Sequence, residues 1–356
     1  MPANENRDPT IVVVAETGAD LIAAVGEAME AAHWRDAIPQ GAAIALKPNL
    51  GWDLFLPGAV TSPWVVEGVV RKLRERAGSI CLVEADQILV SCERSLHQTR
   101  MAELCARYDL EWVNLSRSRF VPVPVPGALQ LPVANLPEIL TQRILVTVPV
   151  MKTHNKTVLS GAIKNQWGCL PKLRHNYHPV VHEVLRDLAV VLRPAFTVLD
   201  ATVALEGNGP KSGRPRICNL LLAGSDPVAV DTVSARIMGL ERFRLRHLEL
   251  CAAAGVGTND WARIRVVDGA GVPRDALPEL HFEPAHHNAV SWVETALRSS
   301  FARRWIFESP VLVPLCWGAR LWYYIWYYVI RGTRLRDRAI RQSPYGRQWR
   351  SRPTPR

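Results

Sequence analysis

Residues 148–168 read VPVMKTHNKTVLSGAIKNQWG, an apolar run that breaks directly into Lys152, His154, Lys156, Lys164 and Asn165. Lysine ammonium groups attract carboxylate or phosphate, and an imidazole exchanges protons near neutral pH. A second lysine, in Lys47-Pro48-Asn49, follows the apolar run AIAL. Several cations converging on one crevice repel each other unless an anionic ligand or acidic partners join them. The expected chemistry is therefore capture of an anion by Lys47, Lys152 and Lys164, orientation by Asn165, and general acid or base work by His154.

An acidic counterpart is expected from residues 196–210, FTVLDATVALEGNGP, and from DPVAVD at 226–231. Glu206 enters a GNGP turn whose glycines let backbone N–H groups approach a ligand, with Asn208 inside it. Asp226 before Pro227 has the arrangement of a helix cap. Asp231 lies among apolar residues and needs a partner, for which a lysine of 152–164 is the natural choice. On this reading Lys152, His154, Lys164 and Asp231 are the catalytic set, and Lys47, Asn49, Asn165, Glu206 and Asn208 bind the ligand. A divalent metal, if the protein uses one, would take oxygen ligands from Asp200, Glu206 and Asp231. His175, His178 and His182 form a further group, in which Pro179 works against an i, i+4 pair.

The elements that must position these residues alternate. Apolar strands are expected near 11–15, 43–47, 79–83, 111–115, 144–148, 196–199, 220–223 and 264–267, and helices at 19–33, 63–77, 94–108, 181–193, 226–239 and 245–254. Pro149 should end the ladder after Val148. The proline-rich piece 121–137 should cross the surface as an extended ribbon. The fold class is α/β, with a mostly parallel sheet flanked by helices in one body or two lobes. Ligands of such sheets sit past the carboxyl ends of the strands, where Lys47 and Lys152 fall.

The 356 residues carry a formal charge of +10, and its distribution excludes a nucleic-acid footprint over the body. Residues 298–356 hold thirteen arginines, no lysine and two acids, whereas residues 1–297 are nearly neutral. The chain therefore divides into an α/β body at 1–284 and a helical, aromatic and arginine-rich extension at 285–356. Pro310 to Ile330 just reaches bilayer length, but Pro310, Pro314, Gly318 and Arg320 oppose a span. Its WYYIWYY run at 322–328 and the arginines of 331–341 fit a helix lying on an anionic leaflet, so residues 310–341 are expected to meet the membrane surface. A tail folded onto the body is the other reading. The polar, acidic start lacks the pattern of a signal peptide, and the seven scattered cysteines form no CxxC pair, which argues for a cytoplasmic protein at the inner face of the membrane.

Lys47-Pro48-Asn49, VPVMKTH, Lys164-Asn165 with its following glycine, Glu206-Gly-Asn-Gly-Pro and Ser225-Asp226-Pro227-Val-Ala-Val-Asp231 together resemble the family called domain of unknown function 362, over roughly residues 10–270. The resemblance implies an α/β protein without naming a reaction. Some members carry ferredoxin-type cysteine runs; this chain has none, which argues against an iron-sulfur cluster. Three functions are expected to compete: an enzyme acting on an anionic small molecule or lipid-linked metabolite, a non-catalytic protein that binds or delivers an anionic cofactor, and nucleic-acid binding through the arginine tail alone, for which no recognition motif is visible.

Overall fold

The computed structural model describes residues 9–286, 289–299, 306–307 and 312–350. Strands run β1 (Thr10–Glu16), β2 (Ala43–Pro48), β3 (Ser79–Glu84), β4 (Glu111–Asn114), β5 (Phe120–Pro124), β6 (Val133–Pro137), β7 (Ile144–Val148), β8 (Val150–His154), β9 (Val158–Ser160), β10 (Phe196–Glu206), β11 (Arg214–Gly224) and β12 (Ile264–Val267). One sheet takes the order β12-β1-β11-β10-β7-β2-β3-β4, with β8 and β9 branching from β10, and β5 pairs with β6 as a separate ribbon. Pairing is parallel except for β1 with β11, β10 with β11 and β8 with β9 within this sheet.

The strands are apolar without alternation because both faces are covered. Val12 and Val14 enter one core cluster with Ala45, Val83 and Leu222, while Val13 and Ala15 enter the opposite one with Leu46, Val146 and Val198. Helices Leu21–Ala31 and Pro63–Leu73 pack on the second face, and Val181–Val191 and Pro227–Ile237 on the first. All eight expected strands and six helical regions form, 144–148 and 264–267 with the expected bounds and the others with shifted ends. The helix expected at 94–108 divides at Arg100, whose φ of 67° lies in the left-handed region, into Cys92–Gln98 and Met101–Tyr108. β10 and β11 reach eleven residues each and form a long antiparallel pair. Pro149 closes β7, as its missing donor requires, but β8 resumes at Val150, keeps β10 as its parallel neighbour and takes β9 where β7 had β2. The proline-rich stretch pairs with itself as β5 and β6.

Residues 312–350 lie against the body. Arg320 donates to Asp53 at 2.6 Å, Tyr323 stacks edge-on against Trp52 with centroids 5.0 Å apart, and Tyr327 donates to the Phe55 carbonyl at 2.5 Å. Arg320 therefore has a carboxylate partner in the body, and its helix, Leu312–Tyr324, continues as a π-turn to Ile330. Among the described residues no helix is long and apolar enough to cross a membrane. Pro310 and Val311, the start of the expected 310–330 stretch, lie outside the described residues.

Candidate functional site

β2, β3 and β7 are neighbours and parallel, so their carboxyl ends open on one side, where a cavity of about 580 Å³ sits. Lys47 at the end of β2 meets Glu84 at the end of β3, with Nζ 2.8 and 2.9 Å from the two carboxylate oxygens. Glu84 also accepts from the backbone N–H of Leu50 and Ala85. A side chain at Gly168 would come within 2.8 Å of that carboxylate and 3.1 Å of Lys47 Nζ, so glycine is what lets the pair form beside the chain.

Lys152 and His154 lie two residues apart on β8 and therefore project on the same side. Lys152 Nζ donates to the Ala59 carbonyl at 2.9 Å and to Asn49 Oδ1 at 3.2 Å. Asn49 in turn donates to Asn165 Oδ1 at 3.2 Å, and Asn165 Nδ2 donates to Thr147 Oγ1 and the Lys47 carbonyl. The two asparagines thus tie the ends of β2 and β7 together and aim Lys152. Lys164 sits on the single turn Ala162–Asn165 with Nζ 4.6 Å from the centre of the Trp167 ring, a cation–π contact. Neither Lys152 nor Lys164 has a carboxylate partner among the described residues. Burial, with the neighbouring cations, pulls each ammonium down to about 7. Burial and the same lysines hold His154 well below its ordinary value, so the ring is neutral. Its Nδ1 accepts the Lys156 N–H at 3.0 Å, which leaves the proton on Nε2.

The cavity brings together Lys47, Asn49, Lys152, His154, Lys164 and Asn165. The acidic set does not join them. Asp231, fully buried, accepts the backbone N–H of Ala162 at 2.6 Å and Ile163 at 3.0 Å, so it anchors the turn that carries Lys164 and pairs with no lysine. Burial lifts its carboxyl to about 7, and Gly161 has no room for a Cβ, which would fall 2.0 Å from Asp231 Oδ1. Asp200 accepts from Ser62 N and from both Thr202 donors. Glu206 is held by Arg214 at 2.7 Å and Arg216 at 2.9 Å, and Asn208 lies outside the cavity. Asp200, Glu206 and Asp231 are thus spent on separate partners, and no metal-holding group of three His, Cys, Asp or Glu occurs among the described residues. Asp226 caps the helix Pro227–Ile237 as expected, accepting from Val228 and Ala229. The three histidines diverge: His175 and His178 line the cavity, His178 stacking on Trp167, whereas His182 faces His247.

Several lining residues were not expected. Glu84 ends a strand as Lys47 does, and the same strand-end logic points to it. Lys211 follows the GNGP turn and packs over Trp52 and Tyr323, with burial drawing its ammonium down to about 8. Arg174 is buried and spends its guanidinium on the Leu170 and Asp86 carbonyls. The extension adds Glu294, which binds Arg298 at 2.9 Å, His178 at 3.1 Å and Lys156 at 3.6 Å.

Among solved structures, a crystallised protein from Thermotoga maritima aligns over 68% of this chain and 60% of its own, at 10% identity and a TM-score of 0.36, too distant to bear on the fold. The "Thylakoid-associated protein sll1697" of Synechocystis sp. is 31% identical over 215 residues, 57% of this chain and 65% of that protein, so the match spans just under two thirds of its length. The profile described as "Domain of unknown function (DUF362)" matches residues 44–236, a narrower stretch than 10–270 that still holds Lys47, Lys152, His154, Lys164 and Asp231. The chain belongs to the DUF362 family.

Proposed function

We propose that this chain is an enzyme that takes a carboxylate- or phosphate-bearing small molecule into the lysine-rich cavity and moves a proton on it, working against the inner face of an anionic membrane. The observation that carries this reading is the pair Lys152 and Lys164, both buried on one cavity and both without a carboxylate partner among the described residues. An uncompensated buried ammonium is costly, and an anionic ligand would supply the missing charge. Lysines drawn down to about 7 exchange protons near neutral pH, which matches the requirement for a general acid or base. His154, neutral with its proton on Nε2, serves in this scheme as a hydrogen-bond donor to the ligand.

The membrane part rests on two exposed features. Val313, Trp317, Leu321 and Ile325 recur every four residues and are exposed, Trp317 to 71%, and Arg334, Arg338 and Arg341 are exposed on the following helix Gly332–Gln342. An exposed apolar stripe followed by an exposed set of arginines suits the boundary of an anionic leaflet. A second reading, a carrier that binds the anion without turnover, is favoured by the occupied Nδ1 of His154, which removes that nitrogen as a base.

Thermal-shift titration at pH 7 with millimolar methyl phosphate and acetate tests the anion site. At least one should raise the Tm of the wild type, and Lys164→Met should weaken that binding about tenfold; no shift with either anion overturns the reading. His154→Ala then separates the two functions, since a carrier keeps most of its affinity while an enzyme loses rate more than binding.

A further inference from the structure

Resting on the anion-site reading, we propose that the ligand is an amphiphile: an anionic head on the lysine floor joined to an apolar chain that lies along the wall built by Val293, Leu297, Phe307, Leu312, Leu315 and Trp322. The cavity is made from two unlike halves. The α/β body supplies Lys47, Lys152, Lys156, Lys164, Lys172 and Lys211, together with Arg174 against the single acid Glu84. The other half comes from beyond residue 290 and is apolar: Val293, Leu297, Phe307, Leu312, Leu315 and Trp322 line it. Its two charged members, Glu294 and Arg298, are bonded to each other at 2.9 Å.

A small hydrophilic anion would leave that apolar wall facing water. A chain-bearing anion covers it, and 580 Å³ lies within the range of roughly 300–1,000 Å³ typical of small-molecule sites. The position of the opening supports the same class. Val293 and Leu315 line the cavity and are also 45% and 37% exposed, so the apolar half reaches the surface. Trp292, next to Val293 in the chain, is exposed as well. The apolar half therefore meets the surface at Val293 and Leu315, and an amphiphile entering there would keep its chain against apolar side chains as its head reaches the lysines.

The test compares n-dodecyl phosphate, kept below its micellar concentration, with methyl phosphate by isothermal titration calorimetry on the full chain. Burial of one methylene tightens binding roughly fourfold, so a chain buried over four or more methylenes should bind over about 100-fold more tightly. Leu315→Asn and Val293→Asn, neutral polar changes at half-exposed positions, should remove most of that gain, so that the ratio of dodecyl to methyl phosphate affinity falls towards one. Equal affinities for the two phosphates in the wild type overturn the amphiphile and leave the anion site standing. A ratio that both asparagine variants leave intact also overturns it, because the chain would then lie elsewhere. Failure of both phosphates to bind overturns the anion site itself.

Discussion

Asp231 and Lys164 stand at the two ends of one helical turn, both withdrawn from water, and their circumstances are opposite. The carboxylate accepts two backbone N–H groups at the start of the turn, while the ammonium at its far end has, among the described residues, only the face of an indole. The same division runs through the rest of the molecule. Asp200, Glu206 and Arg320 are buried with their hydrogen bonds made, and Lys152 is buried with two neutral oxygens for company. Burial of a charge is thus a poor guide to its task. Its complement is the better guide: the satisfied acids build the scaffold, and the cations left over define the cavity.

The largest effect expected on this division comes from Asp231→Ala, which strands two buried N–H groups and should cost about 3 kcal/mol or more in urea unfolding. Because the native carboxyl is raised to about 7 from 3.8, the folded state holds the proton more tightly. That contribution is present at acid pH and is lost as pH rises from about 4 through 7. Asp231→Asn should flatten the slope in that window; wild-type stability in Asp231→Ala would remove Asp231 from the scaffold. Next comes Arg320→Ala, which takes from buried Asp53 its nearest cation and leaves it the Ser91 N–H and the more distant Arg94, and should cost about 2 kcal/mol, read as faster hydrogen exchange across Leu312–Ile330. Unchanged exchange there would mean that the pair contributes nothing to docking. The smallest effect has the opposite sign. Lys164→Met removes a strained cation and should raise stability at pH 7 by about 1 kcal/mol. The wild type should also gain stability from pH 7 towards 10, where the unfolded chain keeps a proton that native Lys164 has released, and the variant should lose that share of the slope. A destabilised Lys164→Met would show that the ammonium has a partner after all.

The sheet was legible because strands covered on both faces read as plain apolar runs, as in IVVV at β1 and ILVTV at β7. β8 was not, because Lys152 and His154 sit inside it and look like a loop after Pro149. The lengths of β10 and β11 were hidden in the same way by Asp200, Thr202 and the charged start of β11. Within the candidate site, strand-end position identified the basic residues, since it follows from local pattern alone. The partners of the acids could not be read this way: Asp231 meets backbone groups 69 and 68 residues away, and backbone donors leave no residue type to recognise. The apolar half of the cavity was equally hidden, because the aromatic tail reads as a membrane segment whether or not it also closes a pocket.

Tyr345 lies fully buried in the core cluster of the sheet's second face, donates to the Thr17 carbonyl at 3.1 Å and meets the Thr17 hydroxyl, 328 residues away in sequence. A chain made from its amino end therefore leaves the ribosome with nearly all of its body before this ring is available. Until then the apolar surface beneath Tyr345 is open, and contacts of such sequence separation form slowly. Completion of this face waits for residue 345, and the interval before it is when the nascent protein most needs protection from aggregation.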